Sequence, residues 1–397
     1  MDPLKTRSFK RWYKIILSGI VSGLILPLSV LLLTPLLIHN SASAQTVYVG
    51  LVTDENGLAD QAWNWTSYQG LLRAENELGI VGKVYDSNSS ADYEPNLQQC
   101  VNDGNNLCIS IGAGMANATW NKAQANPTVD FAIVDFAWNS GYPTNLRGID
   151  FKMNEAGFLA GTLAALLIGN NEVGVIGGYP TSVVQSYISG YRNGAQQADP
   201  NVSVFVYYTY DFSDPTKGQQ AAENLITQGV DVIFNVAGQS GSAGLIYAAQ
   251  QGVWVIGVDF DEYFTTFGGG SVAGAHKLLT SVLKELDLAV FDTINDVVTN
   301  DFRSGTVVYD LKRLSNAVVI NNANIAASSE SIAFNHLPNT QGVNDIGLAP
   351  FHDAESSIPQ SVIDGVNAVR QGIISGTIDV DFSGRVHLPI ILKNLGT

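Results

Sequence analysis

The chain has 397 residues, 36 of them acidic against 20 basic, for a net charge of −16. So acidic a surface repels nucleic acid and anionic lipid and makes both poor partners. Charged residues are only 14% of the chain and apolar ones 46%, which excludes a disordered polyanion and indicates a globular body.

The first 44 residues set the compartment. Lys5, Arg7, Lys10, Arg11 and Lys14 make a basic start, and no charged residue occurs from Ile15 to Ile38. Ala42-Ser43-Ala44 then supplies the small-x-small pattern that signal peptidase reads. A run this long is also able to cross a bilayer uncleaved. A removed signal peptide (1–44) and a retained anchor are therefore both open, with Pro27 and Pro35 inside the run favouring removal. In either case the basic flank stays inside and the remainder is exported. No cysteine lies near the end of the segment, so a lipid-modified N-terminus is not expected. Residues 45–397 exceed what one core usually encloses, which points to two domains.

Short β-branched runs then alternate with helical segments. TVYVGLV (46–52) precedes a helix near 61–78, and NLCISIG (106–112) precedes one at 115–125, followed by VDFAIVD (129–135). GVIGG (174–178) leads to a helix at 183–198, and VSVFVYY (202–208) to one at 217–228. VDVIFNVAG (230–238) leads to 243–251, and VWVIGVD (253–259) comes next. Apolar runs bounded by glycine and separated by helices predict an α/β fold with buried parallel strands.

Cys100 and Cys108 are the only cysteines. Outside the cytoplasm they can close a disulfide over the Asp-Gly-Asn-Asn turn, or remain two buried thiols; the disulfide is favoured. Their spacing fits no metal site and the five histidines are scattered, so neither a metal nor another cofactor is expected.

In open parallel sheets the ligand lies beyond the carboxyl ends of the strands. The predicted strands deliver Asp54, Asp135 and Asp259 there, with Gly112 and Gly238 at other ends. Each aspartate is also a plausible helix cap, but three at equivalent places favour a polyhydroxylated ligand. Trp63, Trp65 and the YYTYDF cluster (207–212) offer flat faces for a ring, or core packing. GQSGSAG (238–244) matches neither GxSxG nor a phosphate-binding loop. A binding protein rather than an enzyme is expected.

Several segments together resemble the basic membrane protein family, the substrate-binding proteins of certain ABC importers, which includes purine nucleoside receptors. They are VGLVTDENGLADQAWNW (49–65), FAIVDF (131–136), FKMNEAGFLAG (151–161), VGVIGGYPTSVVQSYISGYRNG (173–194), YTYDFSDPTKG (208–218), IFNVAGQSGSAG (233–244), VWVIGVDFDE (253–262), LTSVLKELDLAV (279–290) and GLAPFHD (347–353). The resemblance covers about 46–315 and 346–376 in family order. It implies two Rossmann-like lobes joined by hinge strands, a type I periplasmic-binding-protein fold, and a monomer that hands a nucleoside to a membrane permease. Lobe one is expected from 46–150 plus 262–300, and lobe two from 151–261 plus 301–384, with crossings near Asp150, Asp259 and residue 305.

By the same resemblance, Trp63 and Phe212 sandwich the base, Asp135 faces its edge, and Asp54, Asp259 and Lys284 lie near the sugar, with Asn64 adding a polar contact. Trp63 stands where the family commonly has Phe, which reshapes the slot and leaves the ligand open. A sugar or another polyol is the alternative ligand, and a ligand-sensing module for a membrane partner the alternative role. Residues 316–345 read as an insertion and 385–397 as a tail past the family's usual end.

Overall fold

The structure, a computed structural model, describes residues 46–60, 63–315 and 347–381, all within one unit spanning Thr46–Thr397. The signal segment, the insertion and the tail named above lie outside the described residues.

The first sweep of the chain gives β1 (Tyr48–Val52), α1 (Trp63–Leu78), β2 (Val81–Tyr85), α2 (Tyr93–Asn102), β3 (Leu107–Ile111), α3 (Ala116–Ala125), β4 (Asp130–Val134) and β5 (Leu146–Phe151). The second gives α4 (Met153–Leu167), β6 (Glu172–Gly177), α5 (Ser182–Ala198), β7 (Ser203–Tyr208), α6 (Pro215–Thr227), β8 (Val232–Val236), α7 (Gly238–Gln250), β9 (Trp254–Asp259), α8 (Glu262–Thr265) and β10 (Leu278–Leu283). Helix α9 (Leu286–Val298), β11 (Gly305–Tyr309) and α10 (Gln360–Ile374) complete it. The strands form two sheets, in the orders β11-β5-β4-β3-β1-β2 and β10-β9-β8-β6-β7. All the strand pairs are parallel, so both sheets are α/β lobes of the expected kind.

Strand β3 and strand β8 are buried at every residue, which explains why their runs are apolar but for Ser110 and Asn235 instead of alternating. Strand β2, at a sheet edge, alternates and carries a lysine, and its weaker pattern hid it from sequence. Strand β5 was hidden by Arg147, a buried guanidinium whose charge is met by Asp296 of α9 at 2.7 Å.

Two segments sit in the sheet opposite to the one expected. Residues 278–283, assigned to lobe one, form β10, which pairs with β9 in the second sheet. LLTSVL is almost wholly buried and simply extends the sheet of its sequence neighbour. Residues 305–309, assigned to lobe two, pair with β5 in the first sheet. The chain therefore returns to lobe one at Lys284, not near Asp259, and α9 then packs on α1.

The passages between lobes are tied to one another. The Lys152 N–H, just after β5, donates to the Tyr309 carbonyl at 2.9 Å. The Glu155 carboxylate on α4 accepts the Leu311 N–H at 2.8 Å. One hydrophobic core runs from the first sheet through this region to one face of the second, and a smaller cluster covers the other face.

Lobe two is organised around unusually close helices. Gly157 and Gly161 on α4 face Gly190 and Gly194 on α5. A Cβ at Gly161 would stand 1.9 Å from the Tyr191 carbonyl oxygen, and one at Gly194 2.0 Å from that of Phe158. The paired G-x-x-x-G spacing thus lets the two backbones touch. Gly161→Ala is expected to cost roughly 1–3 kcal/mol by forcing these backbones apart, read as a lower urea midpoint.

In lobe one, Cys100 on α2 and Cys108 on β3 form a disulfide, with Cα atoms 6.2 Å apart. Gly50 on β1 lies beneath it, where a Cβ would be 2.3 Å from the Cys100 sulfur. Closing this short loop restricts the unfolded chain, so Cys100→Ala with Cys108→Ala should lower stability by about 2–4 kcal/mol. Thermal unfolding of the oxidised and doubly substituted proteins checks it.

Candidate functional site

The two sheets bring their carboxyl ends to a common region, and the chain leaves several strands there through a sharp reversal. Asp135 after β4, Asp259 at the end of β9 and Glu285 after β10 all have left-handed backbone, with φ of 62°, 66° and 56°. Aspartate tolerates this conformation better than most residues, but such positions are uncommon and gather at functional sites.

Lys284 connects these ends. Its backbone N–H donates to the Asp259 carbonyl at 3.0 Å, which holds it in lobe two. Its ammonium reaches into lobe one and donates to the Asp135 carboxylate at 2.6 Å. Both side chains are almost completely buried, at 0% and 4% exposed. Burial holds the Asp135 carboxyl above its ordinary range, and Lys284 offsets this only in part. Three rings surround the ammonium: its nitrogen lies 4.3 Å from the Trp63 centroid, 5.4 Å from Phe151 and 6.0 Å from Tyr187. Aromatic faces attract a cation more strongly where water is excluded.

A second carboxylate stands close by. The Tyr187 hydroxyl on α5 donates to Asp259 at 2.5 Å. Burial, and then the neighbouring Asp259 charge, hold the Tyr187 phenol well above its ordinary range, so it stays a donor. Tyr187 can reach this position because α5 lies so tightly on α4.

The remaining expected residues divide into two groups. Asp54 and Asn64 bind each other: the Asn64 amide donates to Asp54 at 2.7 Å, and the Asp54 N–H donates back to Asn64 at 3.1 Å. Asn56 also donates to Asp54 from its backbone at 2.9 Å. This pair fastens the end of β1 to the first turn of α1, and so fixes Trp63. Phe212 and Gly238 lie together in lobe two. The Phe212 ring covers Gly178, where a Cβ would meet it at 2.1 Å, and Gly238 packs against the Phe212 backbone. Phe212 is 40% exposed. Among the described residues, no ring contact joins Trp63 to Phe212; one face of Trp63 is occupied by Lys284.

A cavity of about 240 Å³ opens between the lobes, walled by Asp135, Asp150 and Phe151 on one side and by Asn154, Ser182 and Ser186 on the other. Of the ligand residues expected from the sequence, only Asp135 lines it. Lys284, Trp63 and Asp259 stand around Asp135, whereas Asp54, Asn64, Phe212 and Gly238 do not line it. Sequence reading missed Tyr187, Phe151 and the α5 serines. Matching glycine spacings in 157–161 and 190–194 were the available signal that α5 begins against the site. No group of acidic, histidine or cysteine side chains able to hold a metal ion occurs among the described residues, and no described helix is long and apolar enough to cross a membrane.

Residues 47–333 match the model of the Bmp family, described as ABC transporter substrate-binding protein PnrA-like. The chain belongs to this family. Its role is therefore that of a solute-binding protein for an ABC importer. A CD4+ T-cell-stimulating antigen of Listeria monocytogenes is 33% identical over 281 residues, covering 67% of this chain and 78% of its own length. The ABC transporter nucleoside-binding protein BmpA of Lactococcus lactis is 32% identical over 277 residues, covering 66% and 78%. Among solved structures, an ABC transporter solute-binding protein from Aeropyrum pernix K1 superposes with a TM-score of 0.67 at 26% identity, over 86% of this chain and 94% of that one.

Breaking the central ion pair should be costly. Lys284→Met leaves a buried, unpaired carboxylate, and a loss of roughly 3–5 kcal/mol is expected. Because the Asp135 pKa is raised in the folded state, its destabilising effect is present above that pKa and relieved as pH falls through it. The deficit of Lys284→Met against wild type should therefore shrink on acidification. Urea unfolding of both proteins across the acid range measures this.

Proposed function

We propose that this protein is an extracytoplasmic receptor that closes its two lobes on a nucleoside and presents it to the permease of an ABC importer. One observation carries the reading: a buried lysine–aspartate pair, boxed by aromatic rings, lies beside a second carboxylate at the mouth of an interlobe cavity. A nucleoside offers what such a place needs, a flat ring for the aromatic faces and vicinal hydroxyls for the carboxylates, which accept charge-assisted hydrogen bonds. The name of the Lactococcus lactis relative supports the same ligand class.

In this reading Trp63 and Phe212 close on the base from opposite lobes, and Asp135 faces its edge. The indole N–H of Trp63 is buried and has no hydrogen-bond partner among the described residues, so it is free to donate to the ligand. Asp259 and Lys284 hold the sugar. Asp54 and Asn64, bound to each other, set the position of Trp63 from lobe one. Hinge closure over the ligand brings Phe212 into range.

Calorimetry on residues 46–397, refolded to remove carried ligand, tests it against a panel of nucleosides, free bases and ribose. Micromolar or tighter binding to a nucleoside is expected, with base and ribose alone much weaker. Trp63→Ala should lose about 1–3 kcal/mol of that affinity, the worth of one stacking face. A folded protein silent to every nucleoside, or one that responds to ribose or hexoses alone, would overturn the assignment.

A further inference from the structure

We propose that Tyr179 and Tyr210, beside Phe212, form a stacking lip on lobe two that catches the ring of an incoming nucleoside before the lobes close, and so sets the rate of capture. The inference rests on the nucleoside reading above and adds a step to it.

The position comes first. Tyr179 follows β6, and Tyr210 and Phe212 follow β7, at the same edge of the second sheet from which α5 departs. Ser182 and Ser186 of α5 wall the interlobe cavity. Gln185, between them, donates to the Tyr208 hydroxyl at 2.7 Å and so ties the lip to the cavity wall. The rings form a continuous group, with centroids 5.6 Å apart for Tyr179 and Phe212, 6.2 Å for Tyr179 and Tyr210, and 6.0 Å for Tyr208 and Tyr210.

The lip is held in a state that folding alone does not reward. Tyr179, Tyr210 and Phe212 are 47%, 57% and 40% exposed. Scattered exposed rings are ordinary, but a contiguous group beside a cleft marks a binding surface. Tyr210 is also in the left-handed region, with φ of 52°, where a bulky side chain is a genuine outlier. The surrounding loop imposes this conformation. The Thr209 hydroxyl donates to the Asp211 carbonyl at 2.6 Å and accepts the Asp211 N–H at 3.2 Å, bracketing Tyr210. The Asp211 carboxylate accepts from the Ser213 and Asp214 N–H groups and from Lys217, at 2.9, 3.1 and 2.7 Å. Backbone strain held in place in this way gathers at ligand-binding sites.

The chemistry selects the occupant. Asp211 pairs with Lys217, and the Asp214 carboxylate is turned onto the Thr216 and Lys217 N–H groups as the cap of α6, so the rings make the exposed surface of the lip. Such a surface suits an uncharged planar ring, and base–aromatic stacking tolerates any base because each has a π-face. A ring landing on Tyr210 or Tyr179 is already beside Phe212 and needs only a short transfer into the cleft.

Stopped-flow association with the nucleoside that binds best in calorimetry tests the lip. In Tyr179→Ala/Tyr210→Ala the association rate should fall roughly three- to tenfold, a change within the usual range for variants of one interface, while dissociation changes less. Tyr179→Phe/Tyr210→Phe should keep the wild-type rate, because it keeps the rings. Tyr210→Gly should slow association and yet raise the Tm, since glycine adopts positive φ without strain. An unchanged association rate in the folded double alanine variant would overturn the lip and leave the nucleoside reading standing. Unchanged association with reduced uptake in cells would likewise overturn it, in favour of contact with the membrane partner. A wild-type protein that binds no nucleoside removes both.

Discussion

The Lys284–Asp135 pair is the constraint around which the cleft is organised. Taking two opposite charges out of water costs several kcal/mol per ion, and their attraction repays this only when geometry and further partners are good. Here the geometry is set from both sides. Asp135 leaves β4 through a left-handed residue, and Lys284 is anchored by its own backbone to the end of β9. The lysine therefore belongs to one lobe by its main chain and to the other by its side chain. Burying the pair between the sheets fixes where the lobes meet, and the rings of Trp63, Phe151 and Tyr187 shield it.

The glycine contact between α4 and α5 serves the same place from behind. With backbones in contact at Gly161 and Gly194, α5 can bring Tyr187 to Asp259 and its first turn to the cavity wall. A wider helix pair would withdraw both. The packing of lobe two and the polarity of the cleft are therefore two readings of one arrangement.

Much of this was legible in the sequence. Long apolar runs announced the parallel strands, because a strand buried on both faces has no polar face to show. The strand-end aspartates were visible in sequence, and of them Asp135 lines the interlobe cavity while Asp259 stands behind it, bonded to Lys284 and Tyr187. What the sequence hid was tertiary. Strand β10 joins its neighbour β9, and β11 returns to the first sheet, and neither choice is written in a six-residue pattern. Asp54 and Asn64 bind one another, a reciprocity that spacing alone does not reveal. Tyr187 was silent because an aromatic residue on a helix reads as core until the partner of its hydroxyl is known.

The ties among the interlobe passages give the molecule a mechanical character. Because Lys152 is bonded to Tyr309, and Glu155 to Leu311, two of the three passages between the lobes are coupled. The joint behaves less like loose strings than like a door on a single pin. A hinge whose strands are coupled in this way loses less freedom on closing than one made of independent strands. More of the energy gained from the ligand then remains as affinity.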